Sequence, residues 1–155
     1  MSAFANKEAW PPWLVHAAKD VGVRELPGIH VHPRIAKYYK HTQLGGEPND
    51  DEVAWCSAAM CAWFEEVGIA STKSAKARSW LGWGQKLDKP KLGCVAVFSR
   101  GDPAGQQGHV GLYMEDAPNG HVWLLGGNQG NSVRFSCTYE LARVLGWRWP
   151  ANLDK

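Results

Sequence analysis

The chain has 155 residues, enough to bury a substantial core in one domain and too few for two full-sized ones. Its 45% hydrophobic and 21% charged residues exclude a disordered chain, and no apolar run approaches the roughly 20 residues that cross a bilayer. Seventeen basic and fifteen acidic side chains leave a net charge of +2, too weak by itself to mark a nucleic-acid partner.

In chain order, Pro11 and Pro12 introduce Trp13–Val21, where apolar residues recur at helical spacing, and Gly22 is the expected stop. Pro33 opens a second helix with Ile35, Ala36 and Tyr39 on one stripe and Lys37 and Lys40 facing water. Residues 43–51 read as a loop. From Trp55 to Val67, Cys56, Ala59, Met60, Trp63, Phe64 and Val67 form the buried stripe of a third helix, with Glu65 and Glu66 outside it and Gly68 ending it. A short fourth helix is expected over Ser74–Leu81. After Pro90 the period changes to 2, and strands are expected over 95–98, 110–114, 122–125, 132–136 and 144–149. Helices followed by an antiparallel meander predict an α+β fold, one domain over 1–155 with its core over about 13–150.

Residues 1–8 lack a basic stretch followed by an apolar one, so no secretory signal is read there and synthesis in the cytoplasm is expected. Four cysteines (Cys56, Cys61, Cys94, Cys137) without paired spacing fit reduced thiols rather than a disulfide scaffold or a structural zinc site. Nine tryptophans point to a groove lined with aromatic rings, with Trp55, Trp80, Trp83 and Trp123 its candidates, while Trp63 and Trp147 fit the core.

Cys56 stands at the first turn of the third helix, where the helix dipole and unsatisfied N–H groups favour a thiolate and are able to hold an oxyanion. A thiol nucleophile needs a base. Of six histidines, His109 is preferred because it follows the glycine-rich stretch 101–108 and opens a strand at the sheet's edge; His121 is the runner-up. If 117–120 is a four-residue hairpin loop, His109 faces Asn128, whose amide is then placed to orient the imidazole; a loop one residue shorter pairs His109 with Gln129 instead.

Four segments together carry a resemblance: Asp51–Ala58 around Trp55-Cys56, Lys76–Gly84, Gly108-His109-Val110-Gly111, and Leu125-Gly126-Gly127-Asn128-Gln129. In this order they resemble a phage and prophage wall-lysis family of the CHAP and NlpC-type cysteine hydrolases, and the similarity runs from about Trp13 to Pro150. The resemblance implies a papain-like fold, N-terminal helices packed on a C-terminal antiparallel sheet. It also implies Cys56 as nucleophile, His109 as base, Asn128 as orienting residue and hydrolysis of a peptidoglycan amide bond. Cys94 departs from the acidic residue that such relatives carry there and is read as a small buried residue.

Peptidoglycan is thus the expected partner of a monomeric enzyme, with no nucleic acid and no integral membrane association. Neither cofactor nor metal is required. Trp55, Trp80, Trp83, Gln129 and Glu52 are the expected substrate contacts. The acidic run Asp50-Asp51-Glu52 either points away, meets a substrate amine, or binds calcium, although its spacing is not that of an EF-hand. A phage lysin released from the host cytosol to reach the wall, an exported antibacterial toxin of the same chemistry, and a non-catalytic wall-binding module are the readings carried forward.

Overall fold

Three helices precede a six-stranded antiparallel sheet in the computed structural model, which describes residues 2–26, 32–43 and 55–152. The fold is α+β. The helices are α1 (Pro12–Ala18), α2 (Pro33–Tyr39) and α3 (Cys56–Glu65). The strands are β1 (Gln85–Leu87), β2 (Val95–Ser99), β3 (Gly108–Ala117), β4 (His121–Gln129), β5 (Ser132–Glu140) and β6 (Val144–Trp149). They lie in the order β1-β6-β2-β3-β4-β5. The expected strands are all present. β1 has three residues, too short to show a period, and exists because it pairs with β6 from Gln85↔Trp149 to Leu87↔Trp147.

The helices differ from expectation in instructive ways. α1 stops at Ala18 rather than Val21, and Gly22, at φ +101°, turns the chain onto β5. There Gly22 donates to Val133, Val133 to Val23, and Glu25 to Asn131, so residues 22–25 cover part of an otherwise open sheet edge. The helix expected over Ser74–Leu81 is instead a 3-10 turn over Ala77–Gly82. Ser74 cannot start a helix because its carbonyl is turned toward α3, where it accepts from Ser57 Oγ at 2.6 Å and Cys61 Sγ at 3.6 Å.

α3 carries no simple stripe. Every residue from Cys56 to Phe64 is buried, as befits a helix enclosed on all sides. The sheet covers one side: a side chain at Gly127 on β4 would come within 2.8 Å of the Trp55 ring and 3.1 Å of Ala59 Cβ, so only glycine lets the start of α3 lie this close. Ser57, the polar residue in this run, accepts from Trp80 Nε1 at 2.8 Å while donating to Ser74.

The tryptophans are chiefly structural. Trp13, Trp55, Trp63, Trp80, Trp147 and Trp149 are buried, and Trp10, Trp83 and Trp123 pack partly buried against the same core. A wall of exposed indoles is therefore not what nine tryptophans build here. Among the described residues no helix is long and apolar enough to cross a membrane.

One carboxylate ties the helices together. Asp20 Oδ2, just after α1, accepts from Arg34 Nε at 2.9 Å and Tyr38 Oη at 2.6 Å on α2, and from Trp63 Nε1 at 2.8 Å on α3. Removing it strands donors that are buried or nearly so. Asp20→Ala is expected to lose about 3 kcal/mol of stability, read from urea unfolding; a loss below about 1 kcal/mol would mean that the apolar core alone sets the helix packing.

Candidate active site

α3 begins at Cys56, and among the described residues no side chain caps its first N–H groups. Cys56 is fully buried. Burial pushes its thiol above the ordinary value, opposed by the backbone of Val110, the charge of Arg100, and the backbone of Ser57 and of Cys56 itself. The helix-start position therefore does not yield the thiolate expected from the dipole. Desolvation outweighs it, and the resting group is a thiol.

His109 is the second residue of β3 and only 2% exposed, rather than standing open at the sheet's edge. Burial holds its pKa down at about 4, Gln129 pulls it up through a hydrogen bond, and Arg100 lowers it further. The resting imidazole is neutral at pH 7.

The hydrogen bond to the imidazole comes from Gln129, not Asn128. Gln129 Oε1 lies 2.8 Å from His109 Nε2, while the amide nitrogen of Gln129 donates to the carbonyls of Arg134 at 2.6 Å and Leu124 at 3.3 Å. Those two carbonyls fix which end of the amide meets the ring: an oxygen, which can only accept. Nε2 must then carry the proton, and Nδ1 is left with its lone pair. Nδ1 is buried, and none of the described residues hydrogen-bonds it.

The reason lies in two irregularities of the sheet. The β3–β4 turn spans three residues, Pro118–Gly120, one fewer than the four-residue loop expected, and a bulge between Tyr113 and Glu115 returns the ladder to Leu112↔Leu125. That register, continued, would set His109 against Asn128. A second bulge intervenes, because three steps along β4 from Gly126 to Gln129 match two steps along β5 from Arg134 to Ser132. Asn128 takes up the extra residue with φ +56°, and Gln129 comes onto the face of Gly126 beside the imidazole. Gly126 has to be glycine, since a Cβ there would fall 2.5 Å from Gln129 Oε1 and 3.4 Å from His109 Nε2.

Around the imidazole, the Tyr139 ring lies flat against it, and Phe98, Ser99, Arg100, Thr138, Glu140 and Arg143 complete the walls of a cleft of about 280 Å³. Burial raises the Tyr139 pKa, and Tyr139 stands within electrostatic reach of Cys56, so that a thiolate there would raise it further. Tyr139 and Arg100 were missed by sequence reasoning; the alternation of β5 alone would not have found Tyr139, because a bulge between Val122 and Leu124 of β4 shifts its side.

The three tryptophans expected as contacts do not gather here. Trp55 is buried, stacked on Tyr38 at 6.0 Å and donating to Glu25 at 2.8 Å. Trp80 is core. Trp83 donates to Ala70 and lines a separate cleft with Val67, Gly68 and Ile69, beyond the end of α3 opposite Cys56. Asp50, Asp51 and Glu52 lie outside the described residues. Cys94 is buried with its thiol pushed up to about 12, and among the described residues no cluster of His, Cys, Asp or Glu is arranged for a metal.

No family model matches this chain, and no curated protein matches it. The site holds a neutral thiol beside backbone N–H groups, and an imidazole whose one protonated nitrogen is tied down and whose other has no hydrogen-bond partner among the described residues.

Two outcomes follow. The unfolded chain protonates histidine near 6.5 and the folded one only near 4, so between these values the unfolded state binds more protons and stability falls as pH falls. The contribution of His109 is fully present above pH 6.5 and is lost by pH 4, about 3 kcal/mol in all, and this part of the slope should vanish in His109→Gln. Gly126→Ala should displace the Gln129 amide, so that the Nε2–H resonance loses the downfield position of a buried hydrogen-bonded proton in NMR spectra.

Proposed function

We propose that this chain is a cysteine hydrolase that cleaves an amide bond of the peptidoglycan stem peptide, as a phage lysin does. The observation that carries the proposal is the tautomer of His109. Gln129 holds Nε2–H, which leaves Nδ1 as a buried base next in chain to Val110, whose backbone faces the Cys56 sulfur. The substrate class comes from the resemblance of the segments around Cys56, Arg78, His109 and Gln129 to CHAP and NlpC-type wall hydrolases. A cysteine-led helix lying on an antiparallel sheet that carries the histidine supports the papain-like arrangement of that group.

In this reading the pair rests neutral. When the scissile carbonyl enters, the Cys56 S–H bond breaks, its proton passes to Nδ1, and the electron pair left on sulfur attacks the carbonyl carbon. The oxyanion meets the N–H groups at the start of α3. The imidazolium then protonates the departing amine as the C–N bond breaks, giving a thioester. Water, deprotonated by Nδ1, releases the acid and restores the thiol. Gln129 stays hydrogen-bonded to Nε2–H throughout.

One observation favours a second reading, a wall-binding module without catalysis: Cys56 is 0% exposed in the resting structure. Clearing of purified sacculi separates the two. The hydrolase reading expects the native protein to lower turbidity and Cys56→Ala to lose about a thousandfold or more of that rate while still sedimenting with sacculi. Binding by both proteins with clearing by neither would establish the module instead. Mass spectrometry of released fragments would distinguish amidase from endopeptidase cleavage.

A further inference from the structure

The strongest geometric feature near His109 that the reaction above leaves unused is Tyr139. Its ring centroid lies 4.5 Å from that of the imidazole and the two planes differ by 6°, a parallel stack. Phe98 supports Tyr139 at 5.7 Å and is itself packed edge-on against Trp147 at 6.2 Å, so the ring is held from behind by the core. Three steps along β5 from Ser136 to Tyr139 match two along β4, and this extra residue brings Tyr139 onto the face that carries Gln129. Neighbouring strands thus each spend a bulge to bring a side chain against the same imidazole.

We propose that Tyr139 is a positioning residue for His109, its ring fixing the imidazole plane and facing the positive charge that the imidazole takes on when it receives the Cys56 proton. The inference rests on the thiol-hydrolase reading. Gln129 holds one nitrogen but leaves the ring free to swing about that bond; a flat neighbour removes this freedom. An aromatic face also attracts a cation, most strongly where water is excluded. That attraction adds to the hydrogen bond from Nε2–H to Gln129, because burial and the nearby positive charge both oppose the imidazolium. His109 is buried, and Arg100 repels a second positive charge. On the cleft wall Glu140 is engaged by Arg143 at 3.6 Å, so its carboxylate is already shared. The ring, not the hydroxyl, does this: no described residue hydrogen-bonds the Tyr139 oxygen.

The test compares native protein, Tyr139→Phe and Tyr139→Leu, with Tyr139→Met replacing the leucine variant should that one fail to fold. In NMR spectra the His109 ring protons of the native protein are expected upfield, shifted by the tyrosine ring current. Ordinary positions would overturn the stack without any variant. On sacculi, loss of the ring should lower kcat by about tenfold with KM unchanged, and Tyr139→Phe should restore the rate to within about threefold. The His109 titration midpoint should move further down in Tyr139→Leu and stay in place in Tyr139→Phe. Equal loss in the phenylalanine and leucine variants would assign the role to the hydroxyl and overturn the proposal, as would a rise in KM alone. If the native protein leaves sacculi intact, the hydrolase reading falls; the ring-current and titration readouts need no turnover and still decide the stack.

Discussion

The hydrogen bond between His109 Nε2 and Gln129 Oε1 governs what this site can do, because it decides which nitrogen of a buried imidazole is bare. An amide can present either end to a ring. Here the carbonyls of Arg134 and Leu124 claim its nitrogen and leave the oxygen for the imidazole. The bond needs room, which Gly126 supplies by lacking a Cβ, and it needs Gln129 on the correct face, which the β4 bulge supplies. Backbone irregularities of this kind cost ladder hydrogen bonds and persist where something depends on the side chain they re-aim.

Burial sets the electrostatic character of the site. It raises the Cys56 thiol and lowers the His109 imidazole, so both forces act against a pre-formed thiolate–imidazolium pair. Arg100 acts in opposite senses on the two groups, favouring the thiolate and disfavouring the imidazolium. In the proposed reaction a proton transfer between them is driven by substrate, with the N–H groups at the start of α3 and an aromatic face meeting the charges as they appear.

Tryptophan recurs through the supporting framework, and several of its indole N–H groups are individually answered. Trp13 donates to Gly93, Trp63 to Asp20, Trp80 to Ser57 and Trp83 to Ala70. An indole placed this way contributes a large apolar surface and also ties two elements together through its N–H. In so short a chain, that double use of tryptophan explains why the residue is abundant without forming an open groove.

Local pattern is enough to read the order of helices and strands, the place of Cys56 in the first turn of α3 and that of His109 near the start of β3, because each follows from short-range periodicity and from proline and glycine placed at the ends. The length of the 3-10 turn at Ala77–Gly82 and the existence of β1 are not readable, since both depend on partners distant in the chain. The same holds for the residue that orients His109. Hairpin arithmetic pointed to Asn128 or Gln129 and preferred the first, and two bulges, each invisible to alternation, decided for the second. Tertiary packing also turned an expected thiolate into a buried thiol and expected groove tryptophans into core. Sequence determines which side chains are present and roughly on which element each stands. Which of them touch, and with what proton, is settled only when elements far apart in the chain pack together, since one residue of register exchanges the two faces of a strand and burial alone moves a proton equilibrium by orders of magnitude.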